Sequence, residues 1–318
     1  MHGAETLGAL PYFTLPTIQI GPLDLQPFGI LVATGVLLGA WIGRLRGKYL
    51  GVDENEIRVL TGYLLVFGFL GAHLFDTLFY GMDRLKEDPI LILKVWDGIS
   101  SYGGFIGGVV GWYVFCVVHK VESKVVIGDL TVWGFVPGFT FGRMGCSVVH
   151  DHPGARLAEG SDFFLSVNYP REAMNKTLMA HGGPGPRHDL GFYELCFLLL
   201  MLAALLIVTN AGRKRRVGFI VGFLCVLYGP VRFCFEFLRL EENDPRHWGL
   251  TFAQWTSIAI FFAGIYAFYW VYSKPAWKPQ AVPASESDVD VPAPVISPKK
   301  AVGGGKLKPN RRKKKKTS

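Results

Sequence analysis

The sequence predicts an all-α membrane protein of seven transmembrane helices, N-terminus outside and C-terminus cytoplasmic. Three observations predict it. Hydrophobic residues make up 50% of the chain, aromatics 14%, and the mean hydropathy is +0.29. Seven apolar runs approach the ~20 residues a helix needs to cross a bilayer core. They lie at about 27–43, 59–80, 100–118, 126–149, 191–209, 217–238 and 251–272. Basic residues then set the orientation, because cytoplasmic loops carry their excess. With the N-terminus outside, the inner segments 44–58, 119–125 and 210–216 and the tail 273–318 hold 22 of the 33 Lys and Arg. The outer loops 81–99, 150–190 and 239–250 hold three, four and two.

Along the chain, residues 1–26 form an arm on the outer side. No short apolar run with a small-residue cleavage site precedes the first span, so no removed signal peptide is expected. Residues 27–272 form the helical domain. Its third span carries "YGGFIGGVVG", 102–111. Gly104, Gly108 and Gly111 share one face there, and small residues at such spacing let helices approach closely. The loop 150–190 holds Gly-Gly-Pro-Gly-Pro at 182–186, which is turn chemistry. Pro230 sits inside span six and should bend it. The five cysteines, 116, 146, 196, 225 and 234, fall within or at the ends of spans. They read as small buried hydrophobes, without a disulfide framework or metal-ligand spacing. The tail 273–318 lacks the apolar content for a core and should be disordered, with a basic end suited to anionic lipid. The net charge of +8 comes mainly from this tail, so nucleic-acid binding is not expected.

Polar side chains inside spans are costly and mark function or pairing. Here they share a level, in the outer half. His73 and Asp76 end span two. Tyr102 opens span three. Arg143 lies about 10 Å below the outer end of span four by helix rise. Tyr193 and Glu194 open span five. Tyr228, Arg232, Glu236 and Arg239 follow one face of span six at i, i+4, i+8 and i+11. Ordinary pairing between helices is the alternative. Arg143 has no partner within its own helix turn and needs an anion, from Glu236 or from a ligand. A lipid phosphate suits it, since arginine binds phosphate with two parallel donors.

"GRMGC" (142–146), "RHDLGFYE" (187–194), "YGPVRFCFEFLR" (228–239) and "GLTFAQWTSI" (249–258) together resemble the prolipoprotein diacylglyceryl transferases of the bacterial inner membrane. The likeness runs over about 12–272 in the same order. It implies transfer of a diacylglyceryl group from phosphatidylglycerol to the lipobox cysteine thiol in a preprolipoprotein signal peptide. A thioether forms and glycerol phosphate leaves. The substrate supplies the nucleophile, so no enzyme Cys or Ser is required, and no cofactor and no metal are expected. The arm 1–26 becomes periplasmic. By the resemblance Arg143 binds phosphatidylglycerol, and Tyr228 and Arg232 match the family's essential pair. Arg239, Glu236, Gly104 and Gly154 join the substrate-binding set, and Tyr102, His150 and His152 join the catalytic one.

Four departures concern proton handling and the lipid mouth, and one of them is His150-Asp151-His152-Pro153-Gly154 in place of the usual turn after the span-four Gly-Arg motif. Phe28-Gly29 stands for the family's Tyr-Gly. Gly71-Ala72-His73-Leu74 stands for Gly-Gly-Arg-Leu. Tyr102-Gly103-Gly104 stands for His-Gly-Gly, whose histidine is a candidate base. A phenol of ordinary pKa ~10 is protonated at neutral pH, whereas an imidazole near ~6.5 suits a base. His150 and His152 have three open readings: the displaced base, metal ligands at His-x-His spacing, or polar loop residues. Asp151 can orient a histidine. A same-fold paralogue that binds lipid or lipoprotein without the transfer is the alternative function. A transporter would carry an internal repeat and broken midplane helices, and neither is read.

Overall fold

The computed structural model describes residues 10–275 apart from 22, 96, 159, 211–214 and 241–245. Most of the basic tail therefore lies outside the described residues. Nine helices occur among those described: α1 Pro27–Leu50, α2 Glu54–Phe75, α3 Met82–Glu87, α4 Ser101–Val118, α5 Lys124–Val149, α6 Lys176–Ala180, α7 Leu190–Thr209, α8 Phe219–Phe235 and α9 Phe252–Ser273. Seven are long and apolar enough to cross a membrane. Among these, α2 runs on through a π-helical turn, Asp76–Tyr80, and α8 through a 3-10 turn, Glu236–Leu238. Their outward faces leave Leu37, Phe69, Val109 and Ile207 exposed, as a hydrocarbon solvent demands.

Local chemistry sets the helix ends. Gly51, at φ 76°, takes the left-handed position that closes α1. Asp53 then caps α2 by accepting from the Asn55 and Glu56 amides at 2.8 and 3.3 Å. Thr251 and Gln254 form a reciprocal capping box that starts α9.

Two helix pairs meet backbone to backbone through glycine. A Cβ on Gly39 of α1 would lie 2.7 Å from the Gly134 carbonyl of α5, and one on Gly134 only 2.3 Å from the Gly39 carbonyl. Between α2 and α4, a Cβ on Gly103 would lie 2.2 Å from the Gly71 carbonyl. One on Gly107 would lie 2.1 Å from the Phe67 carbonyl. The contact row of α4 is therefore Gly103, Gly107 and Gly111, not the expected Gly104, Gly108 and Gly111. The two rows are one residue apart around the helix, and Gly71 of α2 selects the one it can approach. Gly108 meets nothing within 4 Å, and Gly104 meets only Ala72 Cβ at 3.8 Å and the Gly68 carbonyl at 3.9 Å.

At one end of the bundle a buried ion pair joins α1 to α5. Arg46 Nε and Nη2 each reach Asp129 Oδ1 at 2.8 Å, and the Gly218 amide donates to Asp129 Oδ2 at 2.8 Å. The other end carries the 150–190 segment, which is more ordered than its turn residues suggested. It contributes three strands to a four-stranded sheet, β4 Pro153–Arg156, β5 Val167–Tyr169 and β6 Gly185–Asp189. The arm supplies β1, Leu10–Pro11, parallel to β5, giving the order β1-β5-β6-β4. The arm continues as a hairpin of β2 Ile18–Ile20 and β3 Leu23–Leu25. A last small hairpin, β7 Arg246–His247 with β8 Leu250–Thr251, precedes α9. Arg187 of β6 is fully buried and organises this cap. It donates to the Leu178, His181 and Gly183 carbonyls at 2.9, 2.7 and 2.9 Å.

Candidate active site

The sheet-bearing end gathers polar groups from four spanning helices. Arg143 lies six residues before the end of α5, 5% exposed. Its Nη2 pairs with Glu194 Oε2 of α7 at 3.1 Å. Glu194 sits near the start of a helix otherwise apolar, five residues after the Asp189 cap. Its other oxygen accepts the Tyr228 hydroxyl of α8. Glu194, not Glu236, is therefore the acid that meets Arg143. The Arg143 Nε has no hydrogen-bond partner among the described residues, and its guanidinium lies over the Phe139 ring at 5.2 Å.

Arg232, one turn beyond Tyr228, links α8 to α4. Its Nη1 donates to Glu236 Oε2 at 2.6 Å and its Nη2 to the Tyr102 hydroxyl at 2.8 Å. Tyr102 also stands edge-on to Phe252 of α9, with ring centres 5.4 Å apart. Arg239 lies 3.7 Å from Glu236 Oε1, an ion pair too long for a hydrogen bond. It does not continue the helical face. The chain leaves the helix through the 3-10 turn, and Arg239 is extended at φ −82°, ψ 151°, bridging Gly154 by its backbone. Three guanidinium groups thus face two carboxylates, a cluster with surplus positive charge at membrane depth. Gly154 has no room for a side chain, since a Cβ would lie 2.6 Å from the Leu238 carbonyl. Gly104 faces more open space beside Tyr102.

The two histidines after α5 part ways. His150 takes the left-handed C-cap position at φ 49° and turns into the cap. Its Nδ1 meets Asp189 Oδ2 at 2.5 Å and its Nε2 meets the Phe13 carbonyl at 2.9 Å. Tyr12 stacks on it at 4.2 Å. Asp189 also accepts the Tyr169 hydroxyl at 2.9 Å and caps α7 through the Phe192 amide at 2.9 Å. Burial first, and Asp189 second, push the Tyr169 phenol well above its ordinary range, so it stays a donor. His150 is thus not among the groups touching Arg143. His152 is. Its Nε2 lies 3.5 Å from Arg143 Nη1, and its Nδ1 lies 2.5 Å from Asp151 Oδ1.

Cys146 Sγ lies 3.8 Å from the same Arg143 nitrogen. The donor atoms of Cys146, Asp151 and His152 fall within 4.8 Å of one another, a closeness that sequence spacing did not show. The Arg143 cation against two of them already supplies positive charge there. All five cysteines are free, but only Cys116 and Cys146 are buried as expected; Cys196 and Cys225 are half-buried, and Cys234 is exposed because α8 turns it outward. His73, at the common level, is 1% exposed and serves the loop before α4. Its ring lies 3.3 Å from the Gly98 carbonyl and 3.1 Å from that of Leu91.

The prolipoprotein diacylglyceryl transferase family model matches residues 16–270. The chain belongs to this family. Relatives described as phosphatidylglycerol–prolipoprotein diacylglyceryl transferases agree over nearly their whole length. One from Chromohalobacter salexigens is 31% identical over 266 residues, 81% of this chain and 92% of the relative. One from Pectobacterium atrosepticum is 30% identical over 291 residues, 84% and 96%. One from Escherichia coli O1:K1 is 29% identical over 286 residues, 83% and 95%. Membership makes the chain a transferase of lipoprotein biosynthesis, and its seven apolar helices make it a multi-pass membrane protein. Sequence reasoning had noted the depth of Glu194 but not its place between Arg143 and Tyr228. The signal was a lone acid at the head of an apolar helix.

Proposed function

We propose that the chain moves the diacylglyceryl group of phosphatidylglycerol onto the lipobox cysteine of a preprolipoprotein signal peptide, in the bacterial inner membrane with its N-terminus outside. The observation that carries this is Arg143, buried at membrane depth with Nε unpaired beside a second arginine system. A phosphate between Arg143 and Arg232 meets fixed donors in a low dielectric, where charge stabilisation is strongest. The reaction builds charge on that phosphate as the bond to the glyceryl carbon breaks. Tyr228 holds Glu194, and through it the angle of Arg143. Tyr102 and Glu236 hold Arg232. Arg239 meets headgroups at the rim, where its backbone bridge to Gly154 holds it, and Gly104 leaves room beside Tyr102 for the lipid. His150 acts from a distance, by fixing the loop that carries His152.

The test uses purified protein in phosphatidylglycerol micelles with a lipobox peptide, following glycerol phosphate release. Arg143→Ala should abolish release. Arg143→Lys should rescue poorly, because a point charge lacks the two-donor fork. Full activity of Arg143→Lys would sink the clamp. Lipid binding without any glycerol phosphate release by the starting protein would favour the non-catalytic paralogue.

A further inference from the structure

Tyr102 leaves a question of proton transfer, because its hydroxyl accepts from a cation and a phenol is ordinarily protonated at neutral pH. We propose that Asp151 and His152 are a general-base dyad, with His152 Nε2 taking the proton of the incoming thiol. This deepens the transfer reading above and rests on it.

Asp151 at 2.5 Å from Nδ1 makes that nitrogen the N–H donor and leaves the Nε2 lone pair free to accept. That lone pair points toward Arg143 Nη1 at 3.5 Å, a loose contact beside the proposed phosphate position. When a phosphate draws Arg143, Nε2 is released, so lipid arrival exposes the base. The loop holds this geometry. The His152 carbonyl accepts the Leu190 amide at 3.0 Å, and Gly154 two residues on is bridged to Arg239. The His152 side chain is 23% exposed, open to a second substrate, whereas that of His150 is 6% exposed and held by Asp189. The charged or titratable groups near His152 include Arg143 and Cys146 of α5, Asp151 beside it, Glu194 of α7 behind Arg143, His188 and Asp189 of β6 alongside Gly154 and Pro153, and Arg239 beyond α8.

In the step, the thiol gives its proton to Nε2 and its sulfur forms a bond to the terminal glyceryl carbon. The carbon–oxygen bond to phosphate breaks, and its electron pair stays on the departing glycerol phosphate. The phosphodiester monoanion becomes a monoester dianion, met by Arg143 and Arg232. The imidazolium returns its proton to water. His152 is the catalytic group, and Asp151 is a positioning residue.

The experiment measures three quantities on the full chain in phosphatidylglycerol micelles between pH 5.5 and 9. They are glycerol phosphate release, thermal protection by the lipid, and iodoacetamide alkylation of the bound lipobox peptide's thiol, read by mass spectrometry. We expect the starting rate to rise through one ionisation in the imidazole range. His152→Gln should lose ~10²–10⁴-fold in rate, lose that ionisation and slow peptide alkylation, while keeping lipid protection. Asp151→Asn should lower the rate less than His152→Gln, because the ring loses the partner that fixes its tautomer and orientation. Tyr102→Phe should be slower yet keep the same titration. The dyad is overturned if His152→Gln keeps both rate and titration, or if Tyr102→Phe alone loses the titration. It is also overturned if a chelator abolishes the rate and zinc restores it, which would make Cys146, Asp151 and His152 a metal site. Alkylation separates the two readings. A starting protein that accelerates alkylation only with His152, yet releases no glycerol phosphate, keeps the dyad and loses the transfer.

Discussion

Replacing Glu194 by Gln tests the centre of the charge cluster. The carboxylate lies 3.1 Å from Arg143, and both side chains are about 95% buried. At an effective dielectric of ~20 the attraction at that distance is about 5 kcal/mol. Stranding one member of a buried pair costs ~3–5 kcal/mol in practice. Glutamine still accepts one hydrogen bond, so the lower figure applies, about 3 kcal/mol. The loss should appear in SDS-driven equilibrium unfolding from mixed micelles without anionic lipid. Phosphatidylglycerol should then restore more stability to Glu194→Gln than to the starting protein, because the phosphate no longer competes with a carboxylate for Arg143. If all 3 kcal/mol reach the binding step, lipid affinity rises by ~10²-fold. Turnover should nevertheless fall, since Tyr228 and Arg143 lose their common anchor. An unchanged unfolding curve, or weaker lipid protection in the variant, would refute the argument.

The other expectations can be checked with less effort. Cysteine placed by Glu172→Cys should label from outside intact cells, and by Glu122→Cys only after permeabilisation, above the background of native thiols; the reverse would invert the topology. Gly107→Val should severely lower folded yield, because its Cβ would already stand 2.1 Å from the Phe67 carbonyl, whereas Gly108→Val should be tolerated. Equal yields would discount the close α2–α4 contact. Burial lowers the His188 pKa, so its neutral form stabilises the cap fully above ~6.5, the unfolded value, and this contribution is lost as pH falls from there through the lower folded value. Proteolysis of the 150–190 segment should accordingly speed up on acidification, and His188→Gln should flatten that dependence.

The spans were legible because lipid imposes one requirement, a continuous apolar helix, on every crossing. The shared depth of Arg143, Tyr102 and Arg232 was legible for the same reason, since a charge stands out in such a run. Which acid serves which arginine was not. Glu194 and Glu236 are both within a turn of the right level, and only the rotation of α7 against α5 brings Glu194 to Arg143. The small sheet was hidden by its short strands, two to five residues each and rich in Gly and Pro. The division between His150 and His152 was hidden too. It depends on a single left-handed residue at the end of α5, which turns one ring toward Asp189 and leaves the other with Arg143.

The helix α4, which carries Tyr102 in its first turn, has 18 residues, while α5 has 26. At 1.5 Å per residue these reach about 27 and 39 Å, on either side of the ~30 Å thickness of a hydrocarbon core. A bilayer meeting α4 can thin to match it, at a cost of a fraction of a kcal/mol per ångström. The thinning falls beside the residues proposed to hold the phosphate. A headgroup in a leaflet thinned there would sit nearer the level of Arg232, so activity in bilayers of graded acyl length should be highest in the thinner ones.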